Sequence, residues 1–434
     1  MKAVILVGGL GTRLSTITND QIPKCMVKVN GKPILEYQIQ VLKNSGITDI
    51  VIIGGYLFEK IKSHFGKGDE FGVDITYIIE EIPLGTGGGL YFLKEEKEDL
   101  LVIFGDLLFD IDITRFFEFH KKHNALATIL VHPNSHPFDS DLVSVDDNGK
   151  VTGYSSKNEN RLHDYMNLVC AGIYFISTAA IKNIKKNEKL DLEKDILFSK
   201  IMPENKLYAY HSTEYIKDLG TPERLLSGEQ DIKSGIVSKK NLRNRQRAIF
   251  LDRDGTVIKF KDLLIKAEDV KLEKNVCEAI KLINKSQYLC FIITNQPVVA
   301  RNLCTEEDVK KVHKKIETLL GEQGGFLDGI EFCPHHPDKG FPEENVKYKM
   351  NCNCRKPKIG MIEKIAMKYN IDLEKSWIIG DTTVDIQTGR NARLQTILLL
   401  TGVAGEDKKY DVIPTRICDN LLSAIQVIMG ENDE

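Results

Sequence analysis

Residues 248–258, AIFLDRDGTVI, constrain this chain more than any other stretch. Four apolar residues run straight into Asp252-Arg253-Asp254-Gly255. A short apolar run closed by a glycine turn reads as a buried strand. A strand that hands over directly to two carboxylates sets them at its carboxyl end, where open α/β sheets gather their ligands. Asp252 and Asp254 stand two residues apart on an extended turn and so face one side. One carboxylate can attack phosphorus while the other protonates the leaving oxygen and later activates water. Two anions and a phosphate gather only around a cation, which implies Mg²⁺.

The same half repeats the pattern. Ala248–Leu251, Leu289–Ile293, Trp377–Ile379 and Thr396–Leu400 read as buried strands. Thr305–Leu320 reads as an amphipathic helix with Val309, Val312, Ile316 and Leu319 on one face, and Thr305 with Asp308 as its capping pair. Thr294-Asn295 closes one strand and offers a hydroxyl and an amide to a phosphate. Arg355-Lys356 offers two cations. Gly380-Asp381 closes another strand, with Asp385 four residues on. Cys333-Pro334-His335 and Cys352-Asn353-Cys354 flank a polar loop of 16 residues. Three thiolates and one imidazole at that spacing suit a closed, tetrahedral, structural zinc site that braces the loop delivering Arg355 and Lys356. The competing imidazole is His336, and the x-spacing favours His335.

These motifs, in this order over about 247–434, resemble the haloacid dehalogenase-like phosphatases. The resemblance implies Asp252 as nucleophile and Asp254 as general acid and base. It implies Arg253, Thr294, Asn295, Arg355 and Lys356 as phosphate-binding residues. Mg²⁺ would sit on Asp252, Asp381 and the backbone carbonyl of Asp254, with Asp385 ligating or orienting. Within that superfamily, LDRDGT, ITNQ, CPHHP and CNCRKPKIGM look like the heptose 1,7-bisphosphate phosphatases. Histidinol-phosphate phosphatases share the zinc loop. Little chain lies between the motifs, so the cap is expected to be small or absent.

The N-terminal half opens the same way, with Ala3–Val7 running into Gly8-Gly9-Leu10-Gly11-Thr12-Arg13. Glycines there let backbone N–H groups approach an anion, and Arg13 adds a fork of donors. Pro23-Lys24 brings a second cation. Leu84-Gly85-Thr86-Gly87-Gly88-Gly89-Leu90 is a second Gly-rich loop, placed for a flat base to lie against backbone. Asp106, after the strand Leu101–Phe104, and Asp218, before Gly220-Thr221, are two carboxylates that with substrate phosphates make a magnesium site. The series GGLGTRL, PK, LGTGGGL, GD, KDLGTPE resembles the sugar-phosphate nucleotidyltransferases over nearly all of 1–228. Within them, GGLGTRL with IPKCMVKVNGKPILEY looks most like the heptose 1-phosphate guanylyltransferases. The resemblance implies that Gly8, Gly9, Gly11, Thr12, Arg13 and Lys24 hold the triphosphate. Gly85 and Thr86 would hold the base, Asp106 and Asp218 Mg²⁺, and Lys157 the sugar phosphate. Glu80 reads either as an acceptor for guanine N–H groups or as a loop carboxylate. His132, His136, Asp139 and Asp141 read as a polar loop over the sugar site.

A chain of 434 residues with 42% hydrophobic and 28% charged residues is long enough for two or three domains. The alternation of strands and helices predicts two three-layer α/β domains: a Rossmann-like one at 1–228 and a haloacid dehalogenase-like one at 247–434. Between them, 229–246 is polar and basic without period and reads as a linker. A net charge of −3 gives no reason to expect nucleic acid or an acidic membrane as a partner. The implied partners are GTP, heptose 1-phosphate and heptose 1,7-bisphosphate; self-association into a homo-oligomer is left open. The apolar start is too short for a signal peptide, and nine cysteines are too sparse for a disulfide scaffold. A cytoplasmic enzyme is expected, with Cys25, Cys170, Cys277, Cys290, Cys304 and Cys418 as core packing.

Overall fold

The computed structural model describes residues 1–434 except 10–13, 20, 160, 162, 339–343 and 431–434; at 15 and 16 it describes the backbone alone. The chain divides into two compact units. One comprises Met1–His132, Val143–Ser155 and Val169–Asn241; the other comprises Pro133–Leu142, Ser156–Leu168 and Leu242–Glu434. Two short stretches of the N-terminal half thus pack with the C-terminal unit. The expected linker at 229–246 is not a bare connector. It carries the end of the helix Pro222–Lys233 and a further turn at Ile236–Lys239. Thr221 caps the first of these by accepting from Arg224 N, with Pro222 at its first position.

In the first unit, the strand Lys2–Leu6 lies between Asp49–Gly54 and Leu100–Phe104, parallel to both, and Asp74–Ile79 extends the row. Ala3, Val4 and Ile5 are wholly buried, as an unbroken apolar run requires of a strand covered on both faces. The register Leu6↔Phe104 brings Gly8-Gly9 and Gly105-Asp106 to one edge of the sheet. The parallel sheet expected from the alternation holds for these four strands and again for Leu207–His211 beside Ala127–His132. Val169–Ile176 runs antiparallel to Leu100–Phe104 and to Ala127–His132, and the sheet reaches nine strands among the described residues. Leu142–Val145 and Val151–Ser155 are joined by a tight turn at Asp146–Lys150.

The helix Ile34–Asn44 turns Ile34, Leu35, Gln38, Ile39 and Leu42 inward and stops at Gly46, whose φ of 76° suits the left-handed position past a helix end. Gln38 Nε2 donates to the carbonyls of Phe104 (3.0 Å) and Leu107 (2.8 Å), fixing the backbone on either side of Gly105-Asp106.

The second unit is built on a six-stranded, wholly parallel sheet. Its order is Gly329–Cys333, Tyr288–Asn295, Arg247–Leu251, Trp377–Gly380, Gln395–Leu399 and Arg416–Cys418. Arg247–Leu251 pairs with Tyr288–Asn295 on one side and Trp377–Gly380 on the other. Chain order reverses there, and a crevice opens at such a switch point. The helix Glu306–Gly321 begins with the expected capping box: Thr305 and Asp308 satisfy each other's backbone N–H. Between Ile258 and the strand at Tyr288 the chain makes a single bridge, Ile258↔Leu272, and the helix Val276–Asn284. Among the described residues no cap sheet is inserted there. Among the described residues no helix is long and apolar enough to cross a membrane.

Candidate active sites

In the second unit, Asp252 follows the strand Arg247–Leu251, and its N–H donates to Ile379 O (2.9 Å). That register sets Asp252 beside Gly380, so the carboxylates of Asp252, Asp381 and Asp385 converge, with ligand oxygens within 4.8 Å of one another. Lys356 lies among them. Its Nζ is 2.6 Å from Asp252 Oδ1 and 2.6 Å from Asp385 Oδ1, with only 4% of its side chain exposed. Burial works against the ammonium, but the charges of Asp252 and Asp385 outweigh it and raise the Lys356 pKa. Burial also pushes Asp252 up to about 7, against the pull of Lys356, and Asp381 up to about 8, with the Asp252 charge adding to the rise.

A cation fits this cluster. Asp381 Oδ2 accepts from Val403 N (2.7 Å), while its buried Oδ1 has no hydrogen-bond partner. Such an orphan lone pair is costly unless a cation takes it. Gly255 (φ 82°) and Gly402 (φ 54°) both crowd this carboxylate, and a Cβ on either would collide with Asp381 Oδ2. Asp385 is differently placed. Its Oδ2 accepts from Thr382 N (3.2 Å) and Thr382 Oγ1 (2.6 Å) as the capping partner of the helix Thr383–Asn391, and its Oδ1 meets Lys356.

The residues expected around a bound phosphate divide. Asn295 is occupied with Lys356: its Oδ1 accepts from Lys356 N (2.9 Å), and its Nδ2 donates to Lys356 O (3.1 Å). It therefore sets the lysine rather than facing a ligand. Thr294 Oγ1 accepts from Gln296 Nε2 (2.9 Å). Arg355 Nη1 donates to His335 O (3.1 Å), tying the basic pair to the cysteine loop. Arg253, expected to bind phosphate, turns inward instead. It is 1% exposed, and its guanidinium lies on Asp254, Gln296 and His313. The chain bends just past the strand end at Leu251, and the Arg253 side chain folds back onto the neighbouring Asp254 carboxylate inside the unit. Sequence reasoning gave no role to Gln296, although it closes the ITNQ motif, and missed His313, which no local motif marks.

The cysteine loop closes as its spacing predicts. Cys333, His335, Cys352 and Cys354 place their ligand atoms within 4.8 Å of one another, and all three cysteines are free thiols. Cys354 Sγ lies 3.1 Å from Cys333 Sγ, 3.3 Å from Cys352 Sγ and 3.3 Å from His335 Nδ1. Tetrahedral zinc with Zn–S bonds of about 2.3 Å separates neighbouring sulfurs by about 3.7 Å, close to these spacings. His336 is engaged elsewhere, its Nδ1 accepting from Asp338 N (3.2 Å). Hydrogen bonds from Cys333 and Cys352 pull the Cys354 thiol down to about 5, so one sulfur of the group is poised as thiolate.

In the first unit, a cleft of about 610 Å³ opens at the carboxyl edge of the sheet, lined among others by Gly8, Gly9, Lys24, Glu80, Gly85, Thr86 and Asp106. Gly11, Thr12 and Arg13 lie outside the described residues. Asp106 and Asp218 meet through a ribbon: Leu107–Asp110 pairs antiparallel with Tyr215–Asp218, and Asp218 sits opposite Leu107. Lys24 Nζ bridges the two carboxylates, bonded to Asp106 Oδ2 and 3.4 Å from Asp218 Oδ1. Arg224 Nη1 holds the other oxygen of Asp218 (2.7 Å). Two carboxylates aimed at one cation suit a divalent ion shared with phosphates.

The glycines of the two loops serve different ends. A Cβ on Gly9 would meet nothing within 4 Å, and one on Gly8 only Glu80 Oε2 at 3.6 Å, so that loop leaves room for a ligand. Gly85, Gly87 and Gly88 instead admit the chain itself: a Cβ on each would strike the backbone at Leu190, Leu192 and Glu188. Thr86 Oγ1 accepts from Leu192 N (2.8 Å). The segment so admitted brings Lys189, Asp191 and Asp195 into the cleft, which no motif had marked. Glu80 also faces it, its pKa raised by burial against a bond from Leu84 N. Lys157 does not line the cleft. It packs in the second unit, its N–H donating to Asp141 Oδ1 (3.0 Å). His136 lies 3.0 Å from Asp139, and neither this pair nor His132 and Asp141 enters a metal-type cluster among the described residues.

The family model for nucleotidyl transferases matches residues 2–235, over half the chain, and one described as HAD-hydrolase-like matches 353–424. Over 234 residues the chain is 31% identical to D-glycero-alpha-D-manno-heptose 1-phosphate guanylyltransferase of Aneurinibacillus thermoaerophilus, covering 54% of this chain and 98% of that one. It is 31% identical over 269 residues to mannose-1-phosphate guanylyltransferase of Mycobacterium tuberculosis, covering 61% and 73%. It is 32% identical over 179 residues to D-glycero-beta-D-manno-heptose-1,7-bisphosphate 7-phosphatase of Haemophilus ducreyi, covering 40% and 96%.

Proposed function

From the premise that the chain belongs to the nucleotidyl transferase family and carries a HAD-like hydrolase domain after it, we propose that it catalyses two consecutive steps of GDP-heptose formation. The hydrolase removes the 7-phosphate of D-glycero-D-manno-heptose 1,7-bisphosphate. The transferase then passes GMP from GTP to the remaining 1-phosphate. The observation that carries this reading is the convergence of Asp252, Asp381 and Lys356 beside a zinc-type loop, in one chain with a cleft where Lys24 meets Asp106 and Asp218. Each half alone leaves the sugar open; together they name a product and its consumer.

In the hydrolase, Asp252 attacks phosphorus in line and the sugar alkoxide leaves with a proton from Asp254. Water, deprotonated by Asp254, then hydrolyses the phospho-aspartate. Lys356 neutralises the phosphoryl oxygens and holds Asp252 for attack. Mg²⁺ on Asp252, Asp381 and the Asp254 carbonyl would offset the charge that gathers at phosphorus. Zinc on Cys333, His335, Cys352 and Cys354 would fix the approach of Arg355 and Lys356. In the transferase, the sugar 1-phosphate attacks the α-phosphorus of GTP and pyrophosphate departs, with no protein nucleophile. Lys24 and Arg13 neutralise the triphosphate, Gly8 and Gly9 give it room, and Glu80 accepts from the base. Asp106 and Asp218 would hold Mg²⁺ once Lys24 turns to the phosphates. The site of action is the cytoplasm, where GTP and sugar phosphates are found.

The test supplies the α or β anomer of heptose 1,7-bisphosphate with Mg²⁺, with or without GTP, and follows phosphate and pyrophosphate separately. Phosphate without GTP, and pyrophosphate only with it, is the expected result. The two heptose relatives carry opposite anomers in their names, and one anomer must serve both steps here. Asp252→Asn abolishes phosphate release while transfer to preformed heptose 1-phosphate survives. The mannose relative supports a second reading, mannose 1-phosphate as acceptor. Pyrophosphate released with mannose 1-phosphate and not with heptose 1-phosphate would establish it.

A further inference from the structure

Arg253 is among the largest side chains that the fold buries completely. A buried guanidinium is tolerated only where every face finds a partner. Here its Nε donates to Asp254 Oδ2 (3.1 Å) and its Nη2 to Asp254 Oδ1 (3.0 Å), a two-pronged grip on the carboxylate. Nη2 also donates to Gln296 Oε1 (2.9 Å). Gln296 in turn donates from Nε2 to Asp254 Oδ2 (3.0 Å) and to Thr294 Oγ1 (2.9 Å). Behind the guanidinium, Nη1 faces His313 Nε2 at 3.5 Å, on a ring packed edge-on against Phe332 with centroids 5.4 Å apart. Burial and the Arg253 charge hold His313 neutral, so its Nε2 can accept. Oδ2 of Asp254 thus takes donors from both Arg253 and Gln296, whereas Oδ1 meets the guanidinium alone. Oδ1 is left as the oxygen that carries a travelling proton.

We propose that Arg253, Gln296 and His313 form a positioning device that aims the general acid, Asp254, at the leaving oxygen of the phosphate ester. The inference rests on the hydrolase reading above and gives these side chains a task none of them has there. In the step concerned, a bond forms between Asp252 and phosphorus. The bond from phosphorus to the sugar oxygen breaks with its electron pair, and the proton on Asp254 Oδ1 passes to that oxygen. The hydrolytic half returns a proton from water to Asp254. The grip decides where Oδ1 stands when the sugar oxygen leaves. Gln296 and His313 act through Asp254 and Arg253 and touch no reacting atom.

The discriminating experiment varies the leaving group. A sugar alkoxide needs the proton; p-nitrophenolate leaves without it. General acid catalysis contributes about 10²–10⁴-fold. Arg253→Lys, which keeps the charge and loses the fork, and Gln296→Leu are therefore expected to lower kcat on heptose 1,7-bisphosphate by roughly 10²-fold or more. The first-turnover burst of p-nitrophenolate from p-nitrophenyl phosphate, which precedes the hydrolysis that also uses Asp254, stays within about threefold. His313→Leu, one step further back, lowers the first by about tenfold, and His313→Gln, which keeps an acceptor, recovers most of it. A parallel fall on both substrates, the signature of a damaged site or of phosphate binding by Arg253, overturns the proposal. So does a full-rate Gln296→Leu. Should a leucine variant fail to fold, Arg253→Lys and His313→Gln still decide. Failure of the hydrolase reading looks different: the unaltered protein would release phosphate from neither ester, or Asp252→Asn would leave release unchanged.

Discussion

Lys356→Met tests how the second unit tolerates its own active site. Methionine keeps the length of the side chain and removes the charge. The ammonium is 4% exposed and lies 2.6 Å from both Asp252 and Asp385, whose side chains are 12% and 1% exposed. Taking one partner out of a buried ion group leaves charge uncompensated, at a cost of about 3–5 kcal/mol. At a urea dependence of about 2–3 kcal/mol per molar, that moves the unfolding midpoint of this unit down by roughly 1–2 M. Burial already lifts Asp252 to about 7 and Asp381 to about 8, and without the pull of Lys356 Asp252 rises further. A carboxylate whose folded pKa stands above its unfolded value loses stability as pH rises between the two, so the deficit deepens from pH 6 to pH 8. The assay is urea unfolding of the whole chain in Mg²⁺-free buffer, followed by the fluorescence of Trp377, the one tryptophan. Adding Asp385→Asn to Lys356→Met removes one orphaned charge, and the double variant recovers about 1–3 kcal/mol relative to additivity. A Lys356→Met midpoint within about 0.3 M of the parent, or strict additivity in the cycle, would refute the reasoning.

Cys352→Ser removes one of four donors. The parent is expected to hold one Zn²⁺ per chain by elemental analysis; the variant loses most of it and, with Arg355 and Lys356 no longer braced, loses phosphatase turnover too. A metal-free parent retaining full activity would contradict this. Glu317, on the helix Glu306–Gly321, is pushed up to about 8 by burial, against a hydrogen bond from Asn167 N and the Lys314 charge. Its folded form holds a proton that the unfolded chain gives up near 4.5, so stability falls as pH rises from about 5 to 8. Part of the residue surface stays in water, which discounts the effect to about 1–3 kcal/mol across the window. Glu317→Gln should flatten that slope, and an unchanged pH profile of the urea midpoint would rule this out.

Features written within one short segment were legible from the residues. The strands that end in Asp252, Asp381 and Asp106 are unbroken apolar runs, and a run buried on both faces announces itself. The capping box at Thr305 and Asp308 and the Cys-x-His and Cys-x-Cys pairs are spacings within one turn or one loop. Features that arise from pairing across the chain were hidden. Asp218 and Asp106 were expected at one site, but the pairing that joins them, Tyr215–Asp218 with Leu107–Asp110 about a hundred residues apart, was not readable. The reversal of Val169–Ile176 against Leu100–Phe104 is likewise a pairing between segments far apart in the chain. The Gly85–Gly89 loop was correctly marked as special but for the wrong neighbour: its missing side chains make way for residues 188–192, not only for a ligand. Arg253 was misplaced for a similar reason. A charged residue between two catalytic aspartates invites a ligand, yet its guanidinium turns inward onto Asp254, and its further partners, Gln296 and His313, lie 43 and 60 positions away.

The two sites also differ in how their carboxylates are kept, and that difference follows from the chemistry asked of each. Asp106 and Asp218 are 29% and 34% exposed and carry cations of the chain, Lys24 and Arg224. They need only hold charge while two bound substrates react with each other, and water at their backs does no harm. Asp252 must itself form a bond to phosphorus. It is 12% exposed, one side against Lys356 and the other beside Asp381, whose second oxygen is left for a cation. A carboxylate already stripped of water need not shed a hydration shell as it attacks. The same stripping would raise its proton affinity and silence it, so the fold must bring Lys356 and a metal ion to hold the anion. On this view an attacking aspartate must be both stripped of water and held by cations. Asp252→Glu sharpens the point: it keeps the charge, moves the oxygens about 1.5 Å further along the chain and should abolish turnover while metal binding persists.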